Sequence, residues 1–248
     1  MAQHITQTAG QVGMQLLPHL AGTATTPNPS PGGRGPADKS LLRNPLQAAK
    51  EKYRMMVNQA KVPEQDQFYD MMNTVVQPGA LVFWSMLGKG PNGESLSSQV
   101  EAQTYAATYH KQLLRPLMQQ VDPEYPDGMI FNKFKGITAP QRNELVDLTW
   151  SRTSRAFAKH VKGRAVVVLK GPATDGTKWP SNDDCWAKDE YPVLTAPGGA
   201  CTEIVRIEAN DWVRPLNIGG HPRKGLLIWK RGEGVLNPPV DLDLVKEA

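Results

Sequence analysis

The chain has 248 residues with a mean hydropathy of −0.44, and 40% of them are hydrophobic. These values are typical of a soluble globular protein with one good-sized domain or one domain with an extension. No apolar run is long enough to predict a membrane-spanning helix. The net charge of +4 favours anionic ligands, and a dinucleotide would qualify. Nucleic acid is not predicted, because no helix-turn-helix, zinc-finger or RNP signature occurs.

The cysteine content and the N-terminus bear on the compartment. Two cysteines, Cys185 and Cys201, are too few for a disulfide framework and lack the spacing of a zinc site. We expect two reduced thiols, with a single Cys185–Cys201 bridge as the alternative. Residues 1–20 lack the charged start and apolar core of a secretory signal. We therefore expect a cytoplasmic protein, or one secreted by a route that needs no signal peptide.

The domain organisation follows from composition. Residues 22–40 are rich in Pro, Gly, Ser and Thr, which predicts a disordered linker within an N-terminal segment of residues 1–43. The folded part is predicted to begin near residue 44. It divides into a helical half, residues 44–163 with the Trp84 strand, and an α/β half, residues 164–248, that completes one domain.

In the first half, Asn44-Pro45 predicts a helix start, with Asn as the N-cap and Pro at the first helical position. A second helix is predicted after Pro63. The apolar run Ala80–Trp84 predicts a buried strand. Residues 98–120 then predict one long helix that Pro116 should bend or end.

In the second half, Thr138 and Gln141 form the pattern of a capping box, which predicts a helix from there to Gly163. Three apolar runs predict strands, at residues 165–169, 203–207 and 226–229. The predicted fold class is α/β, with a helical N-terminal half packed on a small, mostly parallel β-sheet C-terminal half.

Aromatic residues mark the candidate site, although each of them has a structural alternative. Trp150, Ser154 and Phe157 share one face of the predicted helix, so they either open onto a cleft or pack in the core. Trp84 ends a predicted strand, where ligands of open α/β sheets bind. The alternative is that Trp84 plugs the end of the sheet.

Three segments together, residues 84–85, 150–158 and 186–190, carry a family resemblance. They read Trp-Ser, then Trp-Ser-Arg-Thr-Ser-Arg-Ala-Phe-Ala, then Trp-Ala-Lys-Asp-Glu. In order and local spacing they resemble the active-site segments of the ADP-ribosyl cyclase / NAD glycohydrolase family. The resemblance covers roughly residues 80–230 and implies an ADP-ribosyl cyclase-like fold.

The resemblance assigns a role to each matching residue. Glu190 would be the catalytic glutamate that stabilises a ribosyl cation. The residues assigned to substrate binding are Trp84, Ser85, Trp150, Ser154 and Trp186. The family's second acidic residue has no clear counterpart, because the register is lost between residues 87 and 120. Glu101 is one candidate, and Met118 or Gln119 are the other residues at this slot.

Some features depart from the family pattern. Met86 stands where the family has Arg, and the chain lacks the many cysteines of the vertebrate members. The second acidic residue bears on cyclisation versus hydrolysis. Because the sequence does not place this residue, the product is either ADP-ribose or cyclic ADP-ribose. Pocket shape decides between these products.

The implied activity is cleavage of the nicotinamide–ribose bond of NAD. NAD would be the substrate, and no metal or other cofactor is expected. An effector or toxin that depletes NAD would fit this chemistry, with an inhibitor or immunity partner unidentified. One alternative is a protein ADP-ribosyltransferase, although Lys188-Asp189-Glu190 lacks the usual Glu-x-Glu or Gln-x-Glu pattern. The other is a non-catalytic module that binds a ligand in a Trp-lined cleft.

Overall fold

The computed structural model describes residues 44–57, 61–89, 95–126, 128, 134, 136–169, 185–209, 212–213, 221–222 and 225–242. All of them belong to one unit of contacts, Leu42–Ala248. The predicted N-terminal segment 1–43, with its linker at 22–40, lies outside the described residues.

This unit contains both helices and strands, with helices packed against the main sheet, so the fold class is α/β. The helices are α1 (Pro45–Val57), α2 (Gln65–Met72), α3 (Gln99–Thr108), α4 (Leu114–Val121), α5 (Ala139–Lys159) and α6 (Tyr191–Thr195), and a π-helical turn spans Trp186–Glu190. The strands are β1 (Val82–Trp84), β2 (Met86–Lys89), β3 (Ser95–Ser97), β4 (Gly163–Leu169), β5 (Cys201–Glu208), β6 (Trp212–Val213), β7 (His221–Pro222), β8 (Gly225–Lys230) and β9 (Gly234–Leu242).

The main sheet is mixed, which differs from the mostly parallel sheet predicted. Its five strands lie in the order β1-β4-β5-β8-β9. The pairs β1/β4 and β4/β5 are parallel, whereas β5/β8 and β8/β9 are antiparallel. An apolar run predicts a buried strand but not its direction, which depends on the connection before it. Because β1 comes from the first half of the chain, both halves contribute to one sheet.

Apolar residues cover the sheet on both faces, as the alternation of side chains along a strand requires. On one face, here called the α5 face, strand residues pack with the α5 residues Ala156 and Phe157; they include Phe83, Ala165, Val167, Leu169 and Ile204. On the other, the α3 face, strand residues pack with the α3 residues Ala102, Tyr105 and Ala106; they include Val82, Val166, Val168, Val205 and Ile207.

Helix α5 begins as the sequence predicts. The backbone N–H of Thr138 donates to Gln141 Oε1 at 2.9 Å, which completes the capping box. The helix ends at Lys159, and Gly163 takes a φ of +80° as β4 begins. Since only glycine adopts this conformation without strain, Gly163 suits the turn from α5 into the central strand.

The single long helix predicted for residues 98–120 is wrong, because the chain forms α3 and α4 with a break between them. His110 has a φ of +51°, which interrupts the helix. Gln112 pairs with the start of the sheet instead: its N–H donates to the Ala80 carbonyl at 2.6 Å, and its carbonyl accepts from the Val82 N–H at 2.9 Å. Pro116 lies in the first turn of α4, where no backbone N–H is needed.

Among the described residues, no helix is long and apolar enough to cross a membrane.

Candidate active site

Three parallel strands end at one edge of the sheet, called here the carboxyl edge. Trp84, the last residue of β1, is level with Val168 of β4, and Val168 is level with Ile207 of β5. The Trp84 side chain is partly exposed at this edge, and it packs against the cluster on the α3 face. Ligands of open α/β sheets bind outside such an edge. Trp84 therefore has the position that the sequence predicted.

Hydrogen bonds around Ser98 hold the carboxyl edge together. The Ser98 hydroxyl donates to the Val168 carbonyl at 2.6 Å and lies 3.3 Å from the Ser85 N–H, which donates to it. The Ser98 N–H donates to the Ser85 carbonyl at 3.2 Å. Ser85 itself is only 1% exposed. Its backbone bonds to Ser98 link the end of β1 to the start of α3.

The α5 face carries the second motif segment. Trp150 is partly exposed and packs edge to face against Tyr125, with ring centroids 5.1 Å apart. The Tyr125 hydroxyl lies 2.6 Å from Thr153 Oγ1. Burial raises the pKa of Tyr125 above its usual range, so this phenol stays neutral.

A network of short contacts joins the third motif segment to α5. The Cys185 thiol donates to Ser154 Oγ at 3.1 Å and approaches Asp189 Oδ2 at 3.7 Å. The Ser151 hydroxyl donates to Asp189 Oδ1 at 2.6 Å. Both Cys185 and Cys201 are free thiols, so the alternative of a bridge between them is not realised.

Trp186 and Glu190 bound the π-helical turn. Trp186 is fully buried, and its ring lies 5.5 Å from Phe83 and 6.0 Å from Tyr191, centroid to centroid. Glu190 is 6% exposed, and its charge adds to the raised pKa of Tyr125. Single π-turns inside helices occur frequently at functional sites.

Glu101 lies apart from these residues. It is in the first turn of α3, on the opposite face of the sheet from α5. Its side chain is buried, and its Oε2 atom has no hydrogen-bond partner. The structure thus brings Trp150, Ser154, Trp186 and Glu190 together on the α5 side, with Trp84 and Ser85 at the carboxyl edge and Glu101 on the α3 side.

The sequence analysis missed a pair of charged residues on β5. Arg206 and Glu208 form an ion pair in which Nε and Oε1 are 2.5 Å apart. Only 2% of the Arg206 side chain and 12% of the Glu208 side chain are exposed. The signal was present, since two charges interrupt the otherwise apolar run Ile204–Ala209, and lone charges in a buried strand require pairing.

No group of His, Cys, Asp or Glu side chains within the described residues could hold a metal ion. The described site offers the carboxylates of Asp189 and Glu190, the hydroxyls of α5, and the partly exposed indoles of Trp84 and Trp150.

Comparisons with known proteins give a distant structural likeness. No protein-family model matches the chain, and no curated protein matches it. A structure of Aplysia cyclase complexed with substrate NGD and product cGDPR is 15% identical, with a TM-score of 0.37 over 65% of this chain and 63% of that chain. A CD38 structure is 15% identical, with a TM-score of 0.36 over 63% of this chain and 64% of that chain.

Apo porcine CD38 is 10% identical, with a TM-score of 0.32 over 66% of this chain and 78% of that chain. The chain spans less than two thirds of the Aplysia cyclase structure and of the first CD38 structure. A likeness of this size identifies no function.

Proposed function

We propose that this protein cleaves the nicotinamide–ribose bond of NAD, as an NAD glycohydrolase or ADP-ribosyl cyclase. The observation that carries the proposal is the attachment of the Glu190 segment to α5. The Cys185 thiol, at the start of this segment, donates to Ser154 at 3.1 Å, and Asp189 accepts from Ser151, the residue after Trp150, at 2.6 Å. A carboxylate, a hydroxyl and an indole from two separate motif segments thereby converge on one side of the sheet.

The reaction needs little beyond stabilisation of charge. The bond between the ribose C1′ and the nicotinamide nitrogen breaks, and its electron pair leaves with nicotinamide, which departs neutral. The ribosyl group that remains has oxocarbenium character, as in glycoside hydrolysis. The Glu190 carboxylate stabilises this cation. Water then attacks C1′ and loses a proton to give ADP-ribose, or a ring nitrogen of adenine attacks to give cyclic ADP-ribose.

The other site residues bind and orient the substrate. The partly exposed ring of Trp150, on the α5 face, offers a flat apolar surface on which nicotinamide stacks and from which water is excluded. Trp84 packs toward the α3 face, and its partly exposed ring bounds the carboxyl edge from that side. Ser154 is only 1% exposed and accepts a hydrogen bond from the Cys185 thiol, so its role is to attach the Glu190 segment to α5. Trp186 is buried against Phe83, so its role is to hold the Glu190 segment in place.

The test is incubation of the purified protein with NAD and separation of the products by chromatography. The Glu190→Gln variant keeps the size of the side chain and removes its charge. We expect nicotinamide release to fall at least about 100-fold, the loss typical for one stabilising group. The control is Glu203→Gln, since Glu203 pairs with Arg164 at 2.9 Å near the opposite end of β5. This control should release nicotinamide at the wild-type rate.

The same assay separates the alternatives. No nicotinamide from a folded wild-type protein, together with measurable binding of NAD, would favour a non-catalytic module. Nicotinamide release that requires an added protein, which becomes labelled, would favour an ADP-ribosyltransferase. Equal activity of Glu190→Gln and the wild type would contradict the role of Glu190.

A further inference from the structure

The Arg206–Glu208 ion pair lies on the same face of the sheet as the candidate site. The two residues are two positions apart on β5, so their side chains point to one face. Arg206 is level with Val167, and Glu208 is level with Leu169, both of which belong to the cluster on the α5 face. The pair therefore faces the side of the sheet that carries Trp150 and Glu190.

Stability alone gives a poor account of this pair. Burial of a guanidinium and a carboxylate costs several kcal/mol per ion before their attraction is counted. Apolar residues of similar volume are often equally stable or more stable at such positions. Val167, level with Arg206 on β4, and Ile204, two residues earlier on β5, are apolar members of the α5 face, so an apolar residue at position 206 would continue this pattern. A buried charge that packing does not require points to a functional role.

The position of Glu208 supplies that role. It is the last residue of β5 and is level with Leu169, the last residue of β4. β1 ends on the other side of β4, at Trp84. Adjacent strands are about 4.8 Å apart, so the backbones at Glu208 and at the end of β1 are separated by roughly 10 Å across the carboxyl edge.

We infer that Arg206 is a positioning residue that orients the Glu208 carboxylate toward the ribosyl cation at the carboxyl edge. The inference rests on the proposed function and adds to Glu190 a second carboxylate from a different strand. Bond cleavage and the leaving group are unchanged, because Glu208 acts by its charge alone. The Arg206 guanidinium holds the Glu208 carboxylate beside it, because Nε and Oε1 are in direct contact.

A double-mutant cycle tests the inference. The variants are Arg206→Met, Glu208→Gln and the double variant, with kcat and KM for NAD measured separately and folding checked by thermal unfolding. We expect Glu208→Gln to lower kcat about 100-fold, and Arg206→Met about tenfold, each with little change in KM. The double variant should be no slower than Glu208→Gln, because Arg206 acts through Glu208.

A conservative variant guards against a folding defect. Arg206→Lys keeps a positive charge at this position and should retain most of the wild-type kcat. If Arg206→Met slows the reaction by the same factor in the wild-type protein and in Glu208→Gln, the two residues act independently and the inference is overturned. Full activity of Glu208→Gln overturns it as well, while leaving the role of Glu190 intact.

An NMR measurement that needs no catalytic turnover tests the Arg206–Glu208 pair separately from the proposed function. The Nε–Hε NMR resonance of Arg206, assigned with Arg206→Lys, should move in Glu208→Gln and stay in place in Glu203→Gln. An unchanged resonance in Glu208→Gln overturns the pairing, whatever the activity. If the resonance moves but the wild-type protein releases no nicotinamide, the proposed function fails, and the catalytic part of the inference fails with it.

Discussion

At the scale of single residues, Asp189 explains how the segment before Glu190 is fixed. Its two oxygens accept from Ser151, on α5, and from Cys185, four residues earlier on its own segment. Cys185 also donates to Ser154. A buried carboxylate needs such donors, since an unpaired one would be costly. The hydrogen bonds of Asp189 and Cys185 to α5 therefore help to set the position of Glu190.

The buried position of His160 predicts that the stability of the protein depends on pH. It stacks on Tyr69 with ring centroids 4.2 Å apart, and burial, followed by the charges of Lys159 and Lys162, lowers its pKa below 6.5. The unfolded chain therefore binds more protons near pH 6, so stability falls as the pH falls through the unfolded value of about 6.5. Urea unfolding should show a smaller loss of stability between about pH 7.5 and 5.5 in His160→Gln than in the wild type. Parallel curves for the two proteins would contradict this expectation.

At the scale of elements, the hydrogen bonds of Ser98 predict how much this residue stabilises the carboxyl edge. Its buried hydroxyl joins α3, β1 and β4 through Val168 and Ser85. Ser98→Ala leaves the Val168 carbonyl without this donor, so we expect a loss of about 1–3 kcal/mol in the free energy of unfolding. The control is Thr108→Ala on the same helix, where an exposed hydroxyl donates to the Thr104 carbonyl at 2.9 Å. Denaturant unfolding measures both, and equal losses would show that the network at Ser98 is not special.

The elements that sequence predicts well are those with their own local signals. The capping box at Thr138 located the start of α5, and apolar runs located β1, β4, β5 and β8. The segment Asn237-Pro238-Pro239 lacks such a signal, yet it lies inside β9, which occupies the end of the sheet order. The break between α3 and α4 was also hidden, because it depends on the pairing of Gln112 with β1, a contact distant in sequence.

At the scale of the whole molecule, the sequence predicted the segments of the site better than their arrangement. The spacing of Trp150 and Ser154 on one helix face needs only helix geometry. The burial of Trp186 against Phe83 depends on how the π-helical turn packs onto β1, which no local pattern contains. Arg206 and Glu208 were missed for a related reason. Whether these two residues lie near the candidate site depends on which strands are neighbours, and this follows from the sheet order.

Ligand binding should stabilise the whole unit if the site is as proposed. A carbocyclic analogue of NAD, in which a methylene replaces the ribose ring oxygen, forms no oxocarbenium ion and should bind without being cleaved. At 100 times its Kd it would add about 2.7 kcal/mol to the free energy of unfolding. For a domain of this size, that corresponds to a rise in Tm of roughly 5–10 °C.

The partly exposed Trp150 should carry much of this effect, because its ring supplies the stacking surface. In Trp150→Ala the rise in Tm, measured against the free variant at the same analogue concentration, should fall to a small fraction of the wild-type value. The matched control is Trp229→Phe, since Trp229 is buried on β8 and packs against Arg231 at 5.2 Å from its ring centroid. This control should keep the full rise, because a lower intrinsic Tm does not change the affinity for the analogue. An equal rise in both variants would place the ligand away from Trp150 and contradict the proposed site.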